Sequence, residues 1–307
     1  MYSTLVVPLD GSPVAEQALP VAASIARRHG ASLHLVYAHT TLVQPLQVQG
    51  APVYDRRFDE DRKRELDGYL ARTAARLGGD DLRVSHAVVE GSSAAAGIAE
   101  EAGRRGAELI VITTHGRGGF SRVWMGSVAT ELLRSSPVPV LVARDAEDAA
   151  QAPSFPEGGP SHLLVPLDGS DVSAAALDAA LEMGRPSGAR YTVLRVVRTA
   201  DTLLPYDQTF WTPAEQEFLD GQQELAREYV TGMVERLRGE GLEAEGVVTL
   251  EPDAARAIIR TAEERGADLV AMSTHARAGV ARIFLGSVTD KVIRGAGCPV
   301  LVVRPGE

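Results

Sequence analysis

Lysine is almost missing from this chain: of its 31 basic residues only Lys63 and Lys291 are lysines, and neither lies in a Gly-x4-Gly-Lys-Ser/Thr loop. That removes a Walker-type phosphate lysine and leaves few candidates for a Schiff-base amine. Cysteine is represented by Cys298 alone, in "GCPVLVVR", so an internal disulfide is impossible and the residue reads as part of a buried strand. No run of about 18 apolar residues is present to span a bilayer, and "MYSTLVVPLDGS" enters an Asp-Gly turn without a leader pattern. Positive charge is also in deficit. The formal net charge of −10 opposes general affinity for nucleic acid or anionic membrane, although a local basic loop can still hold one anionic small molecule. A serine elbow and a zinc-spaced Cys/His set are absent as well. The chain therefore reads as soluble and cytoplasmic, with no nucleic-acid or membrane partner, no bound metal of its own and no dedicated catalytic apparatus.

What is present is a duplication. "LVVPLDGSPVAEQAL" (Leu5 to Leu19) matches "LLVPLDGSDVSAAAL" (Leu163 to Leu177) at a step of 158 residues. "RRGAELIVITTHGR" (Arg104 to Arg117) matches "ERGADLVAMSTHAR" (Glu264 to Arg277), and "SPVPVLVAR" (Ser136 to Arg144) matches "AGCPVLVVR" (Ala296 to Arg304), both at a step of 160. The period is that of a whole domain, too long for a solenoid unit. Between the copies, "DAEDAAQAPSFPEGGPS" is rich in Pro, Gly, Ala and acidic residues and lacks apolar periodicity. The division is a first domain at 1–144, a linker at 145–161 and a second domain at 162–307.

Each copy alternates strand and helix signals. In the first, strands are expected at Thr4–Leu9, Leu33–Ala38, Val84–Val89, Leu109–Thr113 and Val138–Ala143. Helices are expected at Ser12–His29, through the highly charged segment ending at Leu77, at Ala94–Arg105 and at Ser127–Arg134. The dense mixed charge of the second helix reads as a solvated face. Strands alternating with helices predict an α/β, doubly wound and mostly parallel sheet in each domain.

In such sheets ligands collect beyond the carboxyl ends of the strands, where the strand order reverses. Two features point there. The glycines of "THGRGGF" (Gly116, Gly118, Gly119) permit close backbone approach to an anion. Gly126 and Ser127 then open a helix whose unpaired N–H groups favour phosphate, with Arg117 and Arg122, repeated as Arg277 and Arg282, adding charge on the rim. The alternative is a plain turn with Ser127 capping its own helix. Asp10, directly after the first strand, reads either as a helix N-cap or as a carboxylate that accepts from ribose hydroxyls or an adenine amino group. A phospho-acceptor role is disfavoured, because "STLVVPLDG" lacks the acidic pair such receivers carry. His115 and His275 hold matching places at the loop mouths and read as loop-fixing hydrogen-bonders.

At these residues the chain resembles the universal stress protein family in its tandem form, from "VPLDGS" through "GAELIVITTHGR" and "GADLVAMSTHAR" to the final apolar strand of each half. The resemblance implies two Rossmann-like five-stranded parallel sheets of order 3-2-1-4-5 with a nucleotide cleft above. ATP-binding members share Gly-x2-Gly-x9-Gly-Ser/Thr, which here falls on Thr113, Gly116, Gly126 and Ser127, so threonine replaces the first glycine. By the same resemblance Asp10 contacts the nucleoside and the Ala38 backbone lies beside the adenine. In the second half Asp168, Val196, Gly286 and Ser287 map similarly, but Ser273 and Ala276 replace the first two glycines, making it the weaker site.

The leading reading is a stress-response protein with adenine nucleotide as ligand. ATP, alone or with magnesium, is then regulatory or stabilising, and its hydrolysis at most slow. The alternatives are a nucleotide-free interaction module of the same fold and, more distantly, an ATP-dependent adenylating enzyme, for which no attacking group is found. The resemblance also implies that the last strands of two domains pair, here within one chain as a pseudo-dimer, with a further homodimer left open. Val138–Ala143 and Pro299–Val303 are short, apolar and β-branched, and open edges of that kind invite aggregation. In a Cys298→Ser background, cysteines placed one in each strand should cross-link mainly within the chain; exclusively intermolecular product would reject the pairing.

Overall fold

A strand, a helix and a second strand bring the chain back to the same edge of a sheet, so strand–helix alternation leads to parallel pairing. The computed structural model describes residues 1–39, 47–48, 51–52, 56–113, 125–144, 155, 158–199, 212–274 and 285–304. The chain divides into two units, Met1–Gly159 and a second beginning at Pro160.

In the first unit the described elements are β1 (Thr4–Pro8), α1 (Pro13–Glu16), α2 (Ala18–His29), β2 (Ser32–Ala38), β3 (Gln47–Val48), β4 (Ala51–Pro52), α3 (Arg56–Leu77), β5 (Val84–Val89), α4 (Ala94–Arg104), β6 (Leu109–Thr113), α5 (Ser127–Ser135) and β7 (Val140–Ala143). Its main sheet has the order β5-β2-β1-β6-β7, every pair parallel. Counted along that sheet alone, this is 3-2-1-4-5. The antiparallel pair β3–β4 was not anticipated. The expected Ser12–His29 helix is interrupted at Gln17. Pro20 has no N–H to reach the carbonyl four residues back at Glu16, so the ladder restarts there.

The second unit repeats the plan with β8 (His162–Pro166), α6 (Asp171–Gly184), a 3-10 turn (Arg185–Ser187), β9 (Arg190–Val197), α7 (Pro213–Gly239), β10 (Ala244–Leu250), α8 (Ala254–Arg265), β11 (Leu269–Ser273), α9 (Ser287–Gly295) and β12 (Val300–Val303). Its strands run β10-β9-β8-β11-β12, again parallel. α7 starts on a capping box, with the Thr212 side chain accepting from the Glu215 N–H and Glu215 reaching back to the Thr212 N–H. Cys298 departs from expectation: it is half-buried in the bend before β12 rather than a buried strand residue. Among the described residues no helix is long and apolar enough to cross a membrane.

Central strands are covered on both faces, which is why they read as unbroken apolar runs. Leu5, Val6 and Val7 of β1 and Leu109 to Val111 of β6 are fully buried. Full burial of such side chains contributes about 1.5–3 kcal/mol each. A polar cluster interrupts this core in the first unit. His34, in the middle of β2, places Nε2 at 2.8 Å from Glu101 Oε1 and Nδ1 at 2.8 Å from Ser85 Oγ. Arg105 Nε donates to the same carboxylate at 2.9 Å, and Arg104 pairs with its other oxygen. A carboxylate only accepts, so Nε2 carries the proton and Nδ1 accepts from the serine.

Burial, helped by the charge of Arg105, holds the His34 imidazole below its usual range despite the opposing Glu101. Burial alone would push the Glu101 carboxyl up, but hydrogen bonds from Arg105 and His34 and the charge of Arg104 outweigh it and hold the group low. Both shifts act in the same direction on stability. Below an unfolded-state value of about 6.5 the unfolded chain binds the His34 proton and the folded chain does not, so stability falls as pH drops from neutrality. Glu101 contributes stability above about pH 4.5 that is lost as pH falls through its lower folded value. Urea denaturation between pH 7.5 and 6 should show a smaller loss for His34→Gln than for wild type, the difference not exceeding about 1.4 kcal/mol per pH unit. Identical slopes would remove His34 from the acid response.

Candidate functional site

Three adjacent strands of the first unit end side by side where the order reverses. β1 runs out into Asp10, β2 ends on Ala38 and β6 ends on Thr113. Neighbouring strands lie about 4.8 Å apart, so these ends converge at one point on the carboxyl edge. Asp10 is fixed by its own turn: Oδ1 accepts from the Ser12 N–H at 2.9 Å, and Tyr37 donates its phenolic O–H to the Asp10 carbonyl at 3.2 Å. Gly11 takes φ 81°, which a side chain would resist. The capping oxygen belongs to Ser12, which accepts from the Ala15 N–H at 3.1 Å, so the reading of Asp10 as the helix cap gives way. The second unit reproduces this geometry with Asp168 Oδ1 accepting from the Ser170 N–H at 3.0 Å, Gly169 at φ 83° and Ser170 as cap. Val196, one residue before the end of β9, and Ser273, the last residue of β11, stand on the strands to either side. Arg195 occupies the place of Tyr37 and donates Nη1 to the Leu167 carbonyl at 3.3 Å.

The helix that follows β6 begins differently from its neighbours. α4, α6, α7 and α8 each have a Ser, Thr or Asp side chain bonded to their first N–H groups. α5 has Gly126 at the N-cap and α9 has Gly286, neither with a side-chain cap bond. Ser127 and Ser287 are the first helical residues and are exposed. The alternative in which Ser127 caps its own helix is therefore not what forms. Among the described residues both helices keep N-terminal N–H groups and the positive dipole end without a side-chain cap, at the same place in each unit. Thr113 is buried at the end of β6, and the matching Ser273 carbonyl accepts from Thr289 Oγ1 at 3.3 Å. Gly116, Arg117, Gly118, Gly119, Arg122 and His115 lie outside the described residues, as do Ala276, Arg277, Arg282 and His275.

One group beside Ala38 was missed in the sequence. His39 Nε2 lies 2.7 Å from Asp59 Oδ1, and Lys63 Nζ pairs with Asp59 Oδ2 at 2.9 Å and with Glu90. Hydrogen bonds that Lys63 donates to Glu90 and Asp59 hold its amine above its usual range. The network ties the first turns of α3 to the residues that follow β2 and β5. His39, Asp59 and Glu90 bring acceptor atoms within 4.8 Å of one another, a spacing a metal could use, but the ammonium of Lys63 already supplies the positive charge there. Asp59 is only 3% exposed, so this one acid departs from the reading of the segment's mixed charge as a solvated face. The available signal was the rarity of lysine and the i, i+4 spacing of Asp59 and Lys63.

Two doubly wound parallel units in tandem, each with an aspartate turn and a helix N-terminus of glycine and serine at its switch point, define a duplicated Rossmann-like α/β protein. The universal stress protein family model matches residues 1–144 and 160–304, and the chain belongs to that family. It is 26% identical over 318 residues to a universal stress protein of Mycobacterium tuberculosis strain H37Rv, covering 98% of this chain and 94% of that one. It is 32% identical over 146 residues to the universal stress protein YxiE of Bacillus subtilis, covering 46% of this chain and 97% of that one. Among solved structures, a universal stress protein from Archaeoglobus fulgidus superimposes with a TM-score of 0.71 at 17% identity, over 99% of this chain and 97% of that one, a likeness of fold.

The turn around Asp10 makes the two functions of its carboxylate separable. Asp10→Asn keeps an oxygen for the Ser12 N–H, whereas Asp10→Ala removes it. Chemical denaturation should place the asparagine variant within about 0.5 kcal/mol of wild type and the alanine variant about 1 kcal/mol below it. Equal losses would mean that charge, not the turn hydrogen bond, holds this loop.

Proposed function

We propose that the first unit binds ATP at its switch point and that the nucleotide is a regulatory or stabilising ligand of a stress-response protein. The observation that carries this reading is the N-terminus of α5, which offers N–H groups without a side-chain cap on the same carboxyl edge as the ends of β1 and β6. Asp10 then faces the nucleoside, the Ala38 backbone the adenine, and Gly126, Ser127, Gly116 and Arg117 the phosphates, with any magnesium carried by the phosphate chain. The second unit keeps Asp168, Gly286 and Ser287 but has Ser273 and Ala276 for the two glycines, and is the weaker site.

Mass spectrometry of nucleotide released from gently purified protein identifies the ligand, and titration calorimetry tests where it sits. Gly126 has φ −57°, open to any residue, so Gly126→Val probes approach of the ligand rather than backbone strain. The variant should lose ATP affinity at least about tenfold, roughly 1.4 kcal/mol. Gly116→Ala should weaken the first site, and Ala276→Gly should strengthen the second by about 1 kcal/mol. Two equal tight sites, or binding confined to the second unit, would overturn the asymmetry. Absence of both released and titrated nucleotide would favour the interaction-module reading.

A further inference from the structure

The first unit carries a second concavity, away from the strand ends. α2 and α3 both return the chain from the carboxyl edge of the sheet to its amino edge, and an open cavity of about 730 Å3 lies along α2 beside the end of α3. Leu19 and Ala23 of α2 are buried in its floor together with Phe155. Phe155 belongs to the segment between β7 and β8, which composition alone marks as a featureless linker, yet its ring is 6% exposed. Three arginines complete the wall. Arg27 is paired with Asp81 at 2.6 Å and Arg76 with Glu16, whose other oxygen accepts from Tyr69 at 2.8 Å. Arg28 is exposed and, among the described residues, makes no hydrogen bond or ion pair. A surplus guanidinium therefore stands at the mouth of an apolar floor, in a chain of net charge −10.

The second unit shows that the fold does not require this arrangement. At the step of 158, Pro20, Ala23, Ser24 and Arg28 correspond to Asp178, Leu181, Glu182 and Pro186. α6 thus has a larger side chain at the floor position, acids along the wall and a proline in place of Arg28, while the counterpart of Arg27, Arg185, is paired with Glu240. The same helix in the same architecture is built without the features that make the first surface receptive to an anion.

We propose that this cavity is a binding site for an organic anion, with a flat or extended apolar body over Leu19, Ala23 and Phe155 and a carboxylate head on Arg28. The volume lies within the range of about 300–1,000 Å3 that suits small-molecule sites. A guanidinium presents paired N–H donors in the plane a carboxylate needs, and two of the three arginines here are already held by acids, which leaves Arg28 for the head. The apolar body adds affinity in proportion to the area it removes from water. This inference is independent of the nucleotide reading, because the residues involved are not at the strand ends.

The probe is 1-naphthoate, titrated into the full chain and followed by naphthalene fluorescence and by calorimetry. Saturable one-to-one binding is expected, undisturbed by saturating ATP. Arg28→Glu should weaken it at least tenfold, and Ala23→Leu, which copies the second unit, should do the same by filling the floor. Neutral 1-naphthalenemethanol should bind at least tenfold more weakly, as should inorganic phosphate, which has charge without an apolar body. Thermal denaturation checks each variant for folding; Arg28 is exposed, so its variant remains decisive if Ala23→Leu perturbs packing. The proposal is overturned by absence of saturable binding, by displacement with ATP, by equal affinity for the neutral analogue or for phosphate, or by an Arg28→Glu variant that binds as wild type.

Discussion

Parallel strand pairing is the constraint from which the rest of each unit follows. A parallel neighbour can be reached only by crossing back over the sheet, so every strand-to-helix turn falls on the carboxyl edge. Because β2 lies on one side of β1 and β6 on the other, the chain leaves the centre of that edge in opposite directions and opens a crevice there. The helices that follow point their N-termini at the same edge, and their dipoles make it electropositive without a lysine. A chain with net charge −10 and two lysines can therefore still present an anion-receptive surface.

The two units separate what that architecture needs from what it tolerates. The Asp-Gly-Ser turn after the first strand and the Gly-Ser start of the helix after the fourth recur with closely similar backbone geometry. The polar chemistry behind them does not recur. Tyr37 supports the Asp10 turn where Arg195 supports that of Asp168. His34 and Glu101 form a buried pair at positions that are Thr192 and Thr261 in the second unit, whose own buried histidine, His162, bonds Thr192 at 2.8 Å. The sheet accepts either solution because the polar partners come from neighbouring strands or from the helix packed on them, and either leaves the carboxyl edge in place.

Charge in this protein acts through placement rather than sum. Lys63 bridges Asp59 and Glu90 with His39 beside them, and so anchors a long helix at the rim of the crevice. An exposed ion pair contributes little because water screens it, but Asp59 is buried and would be left uncompensated without its partners. The same logic makes Arg28 informative: among the described residues no acid pairs with it, whereas Arg27 and Arg76 are each held by one.

Much of the fold was legible in the residues because its causes are local. Apolar spacing set the strands and most helix limits to within a residue or two, and the 158- and 160-residue steps disclosed the duplication. The crevice position followed from strand order, which came with the family resemblance rather than from periodicity. What stayed hidden depended on the detailed conformation of a turn or on residues far apart in the chain. Whether Asp10 or Ser12 capped the helix depended on how the turn at Gly11 placed their oxygens. Glu101 reads as one more surface acid on an amphipathic helix until packing sets it against His34, 67 residues away. Asp59 reads as solvated for the same reason, and Phe155 as linker. By itself the sequence determined the period, the order and the turns, since these rest on backbone sterics and hydrophobic spacing. Only the tertiary structure decided which charged and aromatic side chains are buried, because burial depends on what the fold sets opposite them.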